Sequence, residues 1–488
     1  MKFHLLISFF LCSALSLQGL EDTQQQIDFR SDTAEYNGKR LVLEGAVQLC
    51  HGIGQLQAEH ATATEEEGRF THLHLKNQVS IELPDGATLE CSEASIDYET
   101  MTATLKGSED NPLVRYQDSG LVSTQIEEKE LASLSFEAEE MLLVLAQLEK
   151  DTKSPEQYAV QEIHAKRRIH ILYNDFYEIT ADQGTYQYDL TNSKNRNILL
   201  YSASKNKPCI VKRGEEDSIE SSSIAIHLDS NLLILENPLG HLAMDAEGEA
   251  PRIVTLQAEE LQWHENDYTI ELLRDVHIAP EGFGTLHSQN SVRMNYANED
   301  SSLAVQKIES KGLTNLVYQA PHDKHRRVLE STGLILLDTQ ASQVLLLADE
   351  QQVSYIDRLG KVYSDKILLD YSKDLNDKFA MEKMLIQGAV KIVNYSNKHS
   401  LNNDVQYALA DQVVYTAKNE CMLLTSEPER RVLYIDQGNN YTISASTVEV
   451  KRDLDGEEAI RGIGSVRFEL AQEELQTLEK EFQLSGIL

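Results

Sequence analysis

The chain has 488 residues, of which 79 are acidic and 44 basic, for a formal net charge of −35. That charge repels nucleic acid and anionic membrane surfaces, so nucleic-acid binding is excluded as a function. The composition, 41% hydrophobic and 25% charged, suits a folded protein, and the length exceeds what one compact core holds; several domains or a repeat array is the expectation.

The first nineteen residues read as an export signal. Lys2 supplies the positive end, Leu5 to Leu11 the apolar run, and Ala14-Leu15-Ser16 a small-residue cleavage site. A retained anchor is the rival, but the apolar stretch ends near Leu20, short of the roughly 20 residues a spanning helix needs. A lipoprotein is disfavoured because Phe9-Phe10-Leu11 before Cys12 lacks small residues. No later segment is long and apolar enough to span a membrane, so a soluble mature chain is expected.

Strand signals follow. Between His72 and Leu83 the residues Leu73, Leu75, Val79, Ile81 and Leu83 share one parity, while His72, His74, Lys76, Gln78, Ser80 and Glu82 take the other. This period of two marks strands with one dry and one wet face, and Pro84-Asp85-Gly86 supplies a turn. The strands belong to a recurring pattern: a small residue beside an acid, an aromatic, an apolar-acid-Gly corner, then Val and alternation. It begins with Ala34-Glu35-Tyr36, Leu43-Glu44-Gly45-Ala46-Val47 and Ala58-Glu59, and returns at Glu93 to Tyr98 with Leu105-Lys106-Gly107. Looser copies are Ala181-Asp182 with Tyr186, and Ala258-Glu259 with Trp263. Gly282-Phe283-Gly284-Thr285-Leu286 echoes Gly52-Ile53-Gly54-Gln55-Leu56. The last copies are Gln387-Gly388-Ala389-Val390, Ala410-Asp411 with Tyr415, and Arg461-Gly462-Ile463-Gly464-Ser465-Val466. Glycine lets a strand bend at each corner, and since no single unit buries its own dry face, the copies must stack around a shared apolar interior.

Two segments depart from the pattern. Residues 121–157 read as a helix or linker segment: Glu127 to Lys150 can be read as a helix or as strands, since Leu131, Leu134 and Ala138 fit helical spacing, and Asp151 to Gln157, with Pro155, looks like a connection. The tail from 471 to 488, rich in Glu, Leu and Gln, reads as a short terminal helix.

No His-Glu-x-x-His, phosphate-binding loop or Cys-x-x-Cys is present, and Gly52-Ile53-Gly54 lacks the third glycine of a dinucleotide loop. His72 and His74 could ligate a metal, but no third ligand is identifiable and a solvated face is the preferred reading. No carboxylate pair stands out as a glycosidase centre. The expectation is a non-enzyme with no metal and no cofactor. Outside the signal, Cys50, Cys91, Cys209 and Cys421 could form two disulfides in an oxidising compartment; small buried hydrophobes are preferred.

The order and recurrence of these motifs resemble the lipopolysaccharide-transport bridge family, organic-solvent-tolerance A-like (LptA/OstA). The resemblance rests on Ala34 to Tyr36, Leu43 to Val47 with Ala58-Glu59, and Ala410-Asp411-Gln412-Val413-Val414-Tyr415. It is good over about 27–117 and 325–470 and weak between. It implies an all-β fold, a repetitive antiparallel β-jellyroll or β-taco stack with minor helix, divided as 20–120, 158–322 and 323–470. It further implies a periplasmic carrier, with the outer membrane as a site of association. Such a carrier shields the acyl chains of lipopolysaccharide or lipooligosaccharide in an apolar groove. Its partners would be inner-membrane and outer-membrane lipid-transport components, and copies could join end to end. The residues assigned to the lipid-facing surface are Val47, Leu49, Leu56, Leu73, Leu75, Val79, Ile81, Leu83, Val390, Ile392, Val466 and Phe468. The alternative is an envelope spacer or scaffold with no lipid cargo. The chain departs from the family in length, being two to three family domains in one polypeptide.

Overall fold

A computed structural model describes residues 28–469 apart from 67–68, 122–131, 148–157, 175, 190–194, 205–206, 245–251, 282–283, 300–301, 319–325, 358–359, 374–378, 396–404, 439–440 and 453–457. The described residues form forty strands and one 3₁₀ turn, Ala417–Asn419. Pairing is antiparallel save one parallel bridge, Met244 to Leu303. The all-β expectation is met.

The strands make two arms. In one arm a single interior row runs in register along the whole stack. It starts with Phe29, Leu49, Leu56, Ile81, Leu89, Tyr116 and Phe136. It continues through Ile171, Ile179, Val211 and Ile219 and ends at Tyr434, Ile443 and Phe468. The facing arm has its own row, from Leu43, Ala61, Leu75, Ala94, Leu105 and Met141 to Ile367, Ile386, Val413, Leu424 and Val448. At about 4.8 Å per strand the first row spans roughly 110 Å. Hairpins alternate between arms along the chain. Cys209–Arg213 and Asp217–Ser221 lie in one, Ser223–His227 and Leu232–Glu236 in the other, and Leu239–Met244 and Arg252–Gln257 return to the first.

The recurring corner is where a long strand passes from one arm to the other. Two successive residues take left-handed φ there: Gly45 and Ala46 at 76° and 43°, Gly388 and Ala389 at 78° and 43°, Gly464 and Ser465 at 76° and 45°. In the first two cases the partner register slips at that point, so the strand bends without losing the parity of its dry face. Asn77 and Gln78 make the same corner without glycine, at 62° and 50°, between Leu75 in one arm and Val79 in the other. A side chain on Gly45 would strike Asp32 Oδ2 at 2.4 Å, and one on Gly388 would strike Asp365 Oδ2 at 2.3 Å. The motif copies are therefore copies of one three-dimensional device.

Of the helix and strand readings of Glu127 to Lys150, the strand one holds wherever that segment is described, and the helix or linker assigned to 121–157 gives way to a pair of strands there. Ala132–Ala138 pairs with Val114–Leu121 and Tyr158–Tyr173, and Glu140–Gln147 pairs with Thr102–Lys106 and Tyr158–Tyr173. Leu134, Phe136 and Ala138, then Met141, Leu143 and Leu145, alternate with period two, and all are buried. Alternation that puts six apolar residues into an existing interior outweighs the three residues at helical spacing. The rest of that segment, the signal and the terminal helix lie outside the described residues.

Two apolar clusters fill the stack, one from Leu43 to Leu303 and one from Leu329 to Val450. Buried hydroxyls lie at the junction. Ser310 Oγ and Thr314 Oγ1 are 2.6 Å apart, Thr314 donates to Ser288 Oγ at 3.2 Å, and Ser331 Oγ donates to the Leu347 carbonyl at 2.6 Å. Strand pairing runs on through this region, as between Thr314–Tyr318 and Arg327–Ser331.

Candidate functional site

The interior differs between the two clusters. In the first it is filled: Val47, Leu49, Leu56, Leu73, Leu75, Val79, Ile81 and Leu83 are each at most 3% exposed and belong to one continuous packed core. The free rims of the arms are also tied together there. The hydroxyl of Tyr173 donates to Asn231 Oδ1 and that of Tyr177 to Glu265 Oε1, each bond crossing from arm to arm. Trp263 stands edge-on to Tyr177 with ring centroids 5.7 Å apart, and its Nε1 donates to Tyr296 Oη at 2.8 Å.

A buried ion pair supports this aromatic closure. Arg213 Nε lies 2.6 Å from Asp217 Oδ2, both residues being 3% exposed, and the Ala243 amide donates to Asp217 Oδ1 at 2.6 Å. The guanidinium carbon lies 5.4 Å from the Trp263 ring centroid and 5.6 Å from that of Phe176, a cation–π contact on each. Burial raises the Glu265 carboxyl above its ordinary range, opposed by the Tyr177 hydrogen bond and the charge of Arg213. Burial also pushes the Tyr296 hydroxyl up to about 12.

The second cluster has a buried row of its own, Leu346, Ile367, Val413, Leu424 and Val448, but leaves a gap between the arms. A cavity of about 230 Å³ lies between them, lined by Val362, Met384, Ile392, Ala408, Met422 and the rings of Tyr355, Tyr415 and Tyr434. Tyr355, Val362 and Ile392 occupy the same interior row as the buried Ile179 and Val211, yet they are only partly buried. Three methionines, Met381, Met384 and Met422, contribute to the wall, and their unbranched side chains can refit around an irregular apolar guest. The polar members of the lining include Asp357, Asn394 and Gln406. Tyr355 donates to Asp357 Oδ2 at 3.2 Å, and an amide chain runs from Asn394 Nδ2 to Gln406 Oε1 at 2.8 Å and from Gln406 Nε2 to Asp436 Oδ2 at 3.1 Å. The site is thus an apolar trough with a hydrogen-bonded polar margin, a form suited to holding a hydrocarbon chain whose head stays in water.

Of the residues assigned from the sequence, Ile392 lines this cavity, and Val390 is buried at 1% exposure in the adjoining core. The eight residues from Val47 to Leu83 belong to the filled core instead. Val466 and Phe468 are exposed on the last rung, where Phe468 stacks on Tyr441 at 5.5 Å. The methionines and tyrosines of the wall were missed. Tyr355 and Tyr434 sit on the interior row that holds Leu56, Ile81 and Ile392, whereas Met384, Tyr415 and Met422 sit on a row of the facing arm with Leu369 and Val450; extending both rows strand by strand would have found them. Elsewhere, His72 and His74 face Asp97 at 3.7 Å and Glu93 at 2.9 Å. The four cysteines among the described residues are free; Cys91 and Cys209 are buried as preferred, whereas Cys50 is exposed and Cys421 is partly buried.

No protein-family model matches the chain, and no curated protein matches it. Among solved structures it is similar to LptH of Pseudomonas aeruginosa, described as the LptA-homologous periplasmic component of the lipopolysaccharide transport device. Identity is 12%, the TM-score is 0.23, and the match covers 30% of this chain and 95% of that one.

Proposed function

We propose that the protein is a lipid carrier of the cell envelope rather than an enzyme, and that its cargo is an acylated lipid of the lipopolysaccharide or lipooligosaccharide class. The observation that carries this reading is the change in the interior between its two halves, from a closed core to an open apolar trough between Tyr355 and Val450. The same strand rows build both, so the opening is a local property of the second cluster. In this reading the first cluster is a rigid stalk and the second holds cargo, in the periplasm, between the inner-membrane and outer-membrane components of a transport route.

The energetics favour a trough over a sealed pocket. Each buried CH₂ contributes about 0.8 kcal/mol, so a long acyl chain wholly enclosed is held by roughly 10 kcal/mol and leaves slowly. A trough built from repeated rungs offers near-equivalent positions, and a chain sliding between them changes its burial little at each step. The adaptable methionine wall suits such movement.

The spacer reading has an observation of its own, the packed interior from Leu43 to Leu303, and it applies to that half. The two readings separate on purification. Mass spectrometry of the intact protein, taken from the envelope in which it is made, should show a bound acylated lipid. Ile392→Asp should lose the lipid while keeping the β circular dichroism of the unsubstituted chain. Lipid-free protein from its own envelope would favour a spacer throughout.

A further inference from the structure

We infer that Asp275, His277 and His287 form a binding site for one divalent cation of the zinc class, on the outer face of the stack and apart from the apolar trough. His277 and His287 are direct cross-strand partners in the hairpin of Val276–Pro280 and Gly284–Ser288. Their neighbours in that register, Ile278 and Leu286, point inward, so both imidazoles stand on the wet face, stacked with centroids 4.2 Å apart. Asp275 enters from the corner just before the hairpin. Arg274 and Asp275 have φ of 61° and 46°, the same paired left-handed bend as the glycine corners. A backbone conformation that costs a non-glycine residue energy is here occupied by an acid aimed at two histidines.

The distances suit a metal. Asp275 Oδ1 lies 3.0 Å from His287 Nε2 and 3.4 Å from His277 Nε2, and one donor atom from each residue lies within 4.8 Å of the others. Ligands about 2.0–2.1 Å from a tetrahedral zinc ion are separated by roughly 3.3–3.4 Å. A cation placed among the three atoms therefore needs only a tilt of two exposed rings toward each other. Two imidazoles and one carboxylate are the donor set for zinc and its neighbours rather than for calcium or magnesium. Three protein ligands leave a coordination position for water.

One buried polar atom lies on the strand beside the site. Asn315, the register partner of His287, carries an Oδ1 that is buried and unpaired among the described residues, while its Nδ2 donates to Glu330 at 2.9 Å. A histidine whose Nε2 binds a metal commonly donates its Nδ1–H to an acceptor, and in the cation-bound form Asn315 Oδ1 is the acceptor proposed for His287. The alternating face that places His72 and His74 together lacks this arrangement, since each of those rings has its own carboxylate partner.

The test is calorimetric titration of the untagged full chain with Zn²⁺, comparing Asp275→Asn, His277→Ala and His287→Ala with His74→Ala. All three ligands are on the surface, so the substituted chains should keep the circular dichroism of the parent. The expected result is one saturable equivalent whose affinity falls at least tenfold in each of the three variants and is unchanged in His74→Ala. Absence of saturable binding in the parent, or variants that bind as the parent does, would overturn the site.

Discussion

The Tyr177 hydroxyl donates to the Glu265 carboxylate across the mouth of the stack, joining the two arms through residues 88 positions apart and closing the interior at that level. Glu265 is largely buried, and burial outweighs the stabilising influence of Tyr177 and Arg213, so its carboxyl titrates above its ordinary range. A carboxyl whose folded pKa is raised contributes stability below its unfolded pKa and loses it as pH rises through the folded value. Glu265→Gln, which removes the charge, should therefore be more stable than the parent at neutral pH. The advantage should vanish as pH falls below the ordinary glutamate range, a trend that parallel urea unfolding at several pH values would record.

The corners predict a graded response to alanine. Gly45 and Gly388 combine φ near +77° with an aspartate oxygen where a Cβ would lie, whereas Gly38, at φ +90°, meets nothing within 4 Å. Gly45→Ala and Gly388→Ala should each cost about 1–3 kcal/mol, and Gly38→Ala less. Hydrogen exchange should show the loss concentrated in Arg40–His51 and Gly54–Glu66 for the first substitution, and in Phe379–Tyr395 and Val405–Thr416 for the second.

Equivalent aspartates should behave differently in the two halves. Ile81→Asp puts an unpaired charge among Leu56, Leu89 and their neighbours and should cost about 3–5 kcal/mol. Ile392→Asp stands at an open wall where the carboxylate can reach water, so its midpoint in urea should shift by less than half as much. Equal shifts would mean that the second interior is as closed as the first.

Thiol reactivity should divide along burial. Cys91 and Cys209 are enclosed, and burial pushes their thiols up to about 12 and about 11, while Cys50 lies on the surface. A maleimide should label Cys50 in the native protein within minutes and reach Cys91 and Cys209 only after denaturation.

Much of this architecture was legible in the residues. The alternation from Leu73 to Leu83 identified the dry face correctly, and the glycine corners identified the bends, because both are local consequences of strand geometry. Gly54 and Gly284, at φ 136° and 135°, each approach a facing carbonyl so closely that a Cβ would fall 1.9 Å away, which is the physical basis of their shared motif. The strands at Leu134 and Met141 were obscured because Leu134 and Ala138, with Leu131 before them, also fit helical spacing. The location of the trough was not legible. Whether an interior-facing residue such as Ile81 or Ile392 meets a neighbour or a cavity depends on the distance between arms. Rim contacts such as Tyr177 with Glu265, more than eighty residues apart, join the arms, and no local pattern records them.

In the proposed carrier an acyl chain lies in the second interior and not the first. Photo-crosslinking amino acids placed one at a time at Met384, Ile392 and Met422 in the trough, at Leu75 and Ile81 in the closed core, and at Glu449 on the outer face test it within the native envelope. Lipid adducts are expected from the three trough positions, with Leu75, Ile81 and Glu449 giving none. Adducts at Ile81 equal to those at Ile392, or none at any position, would contradict it.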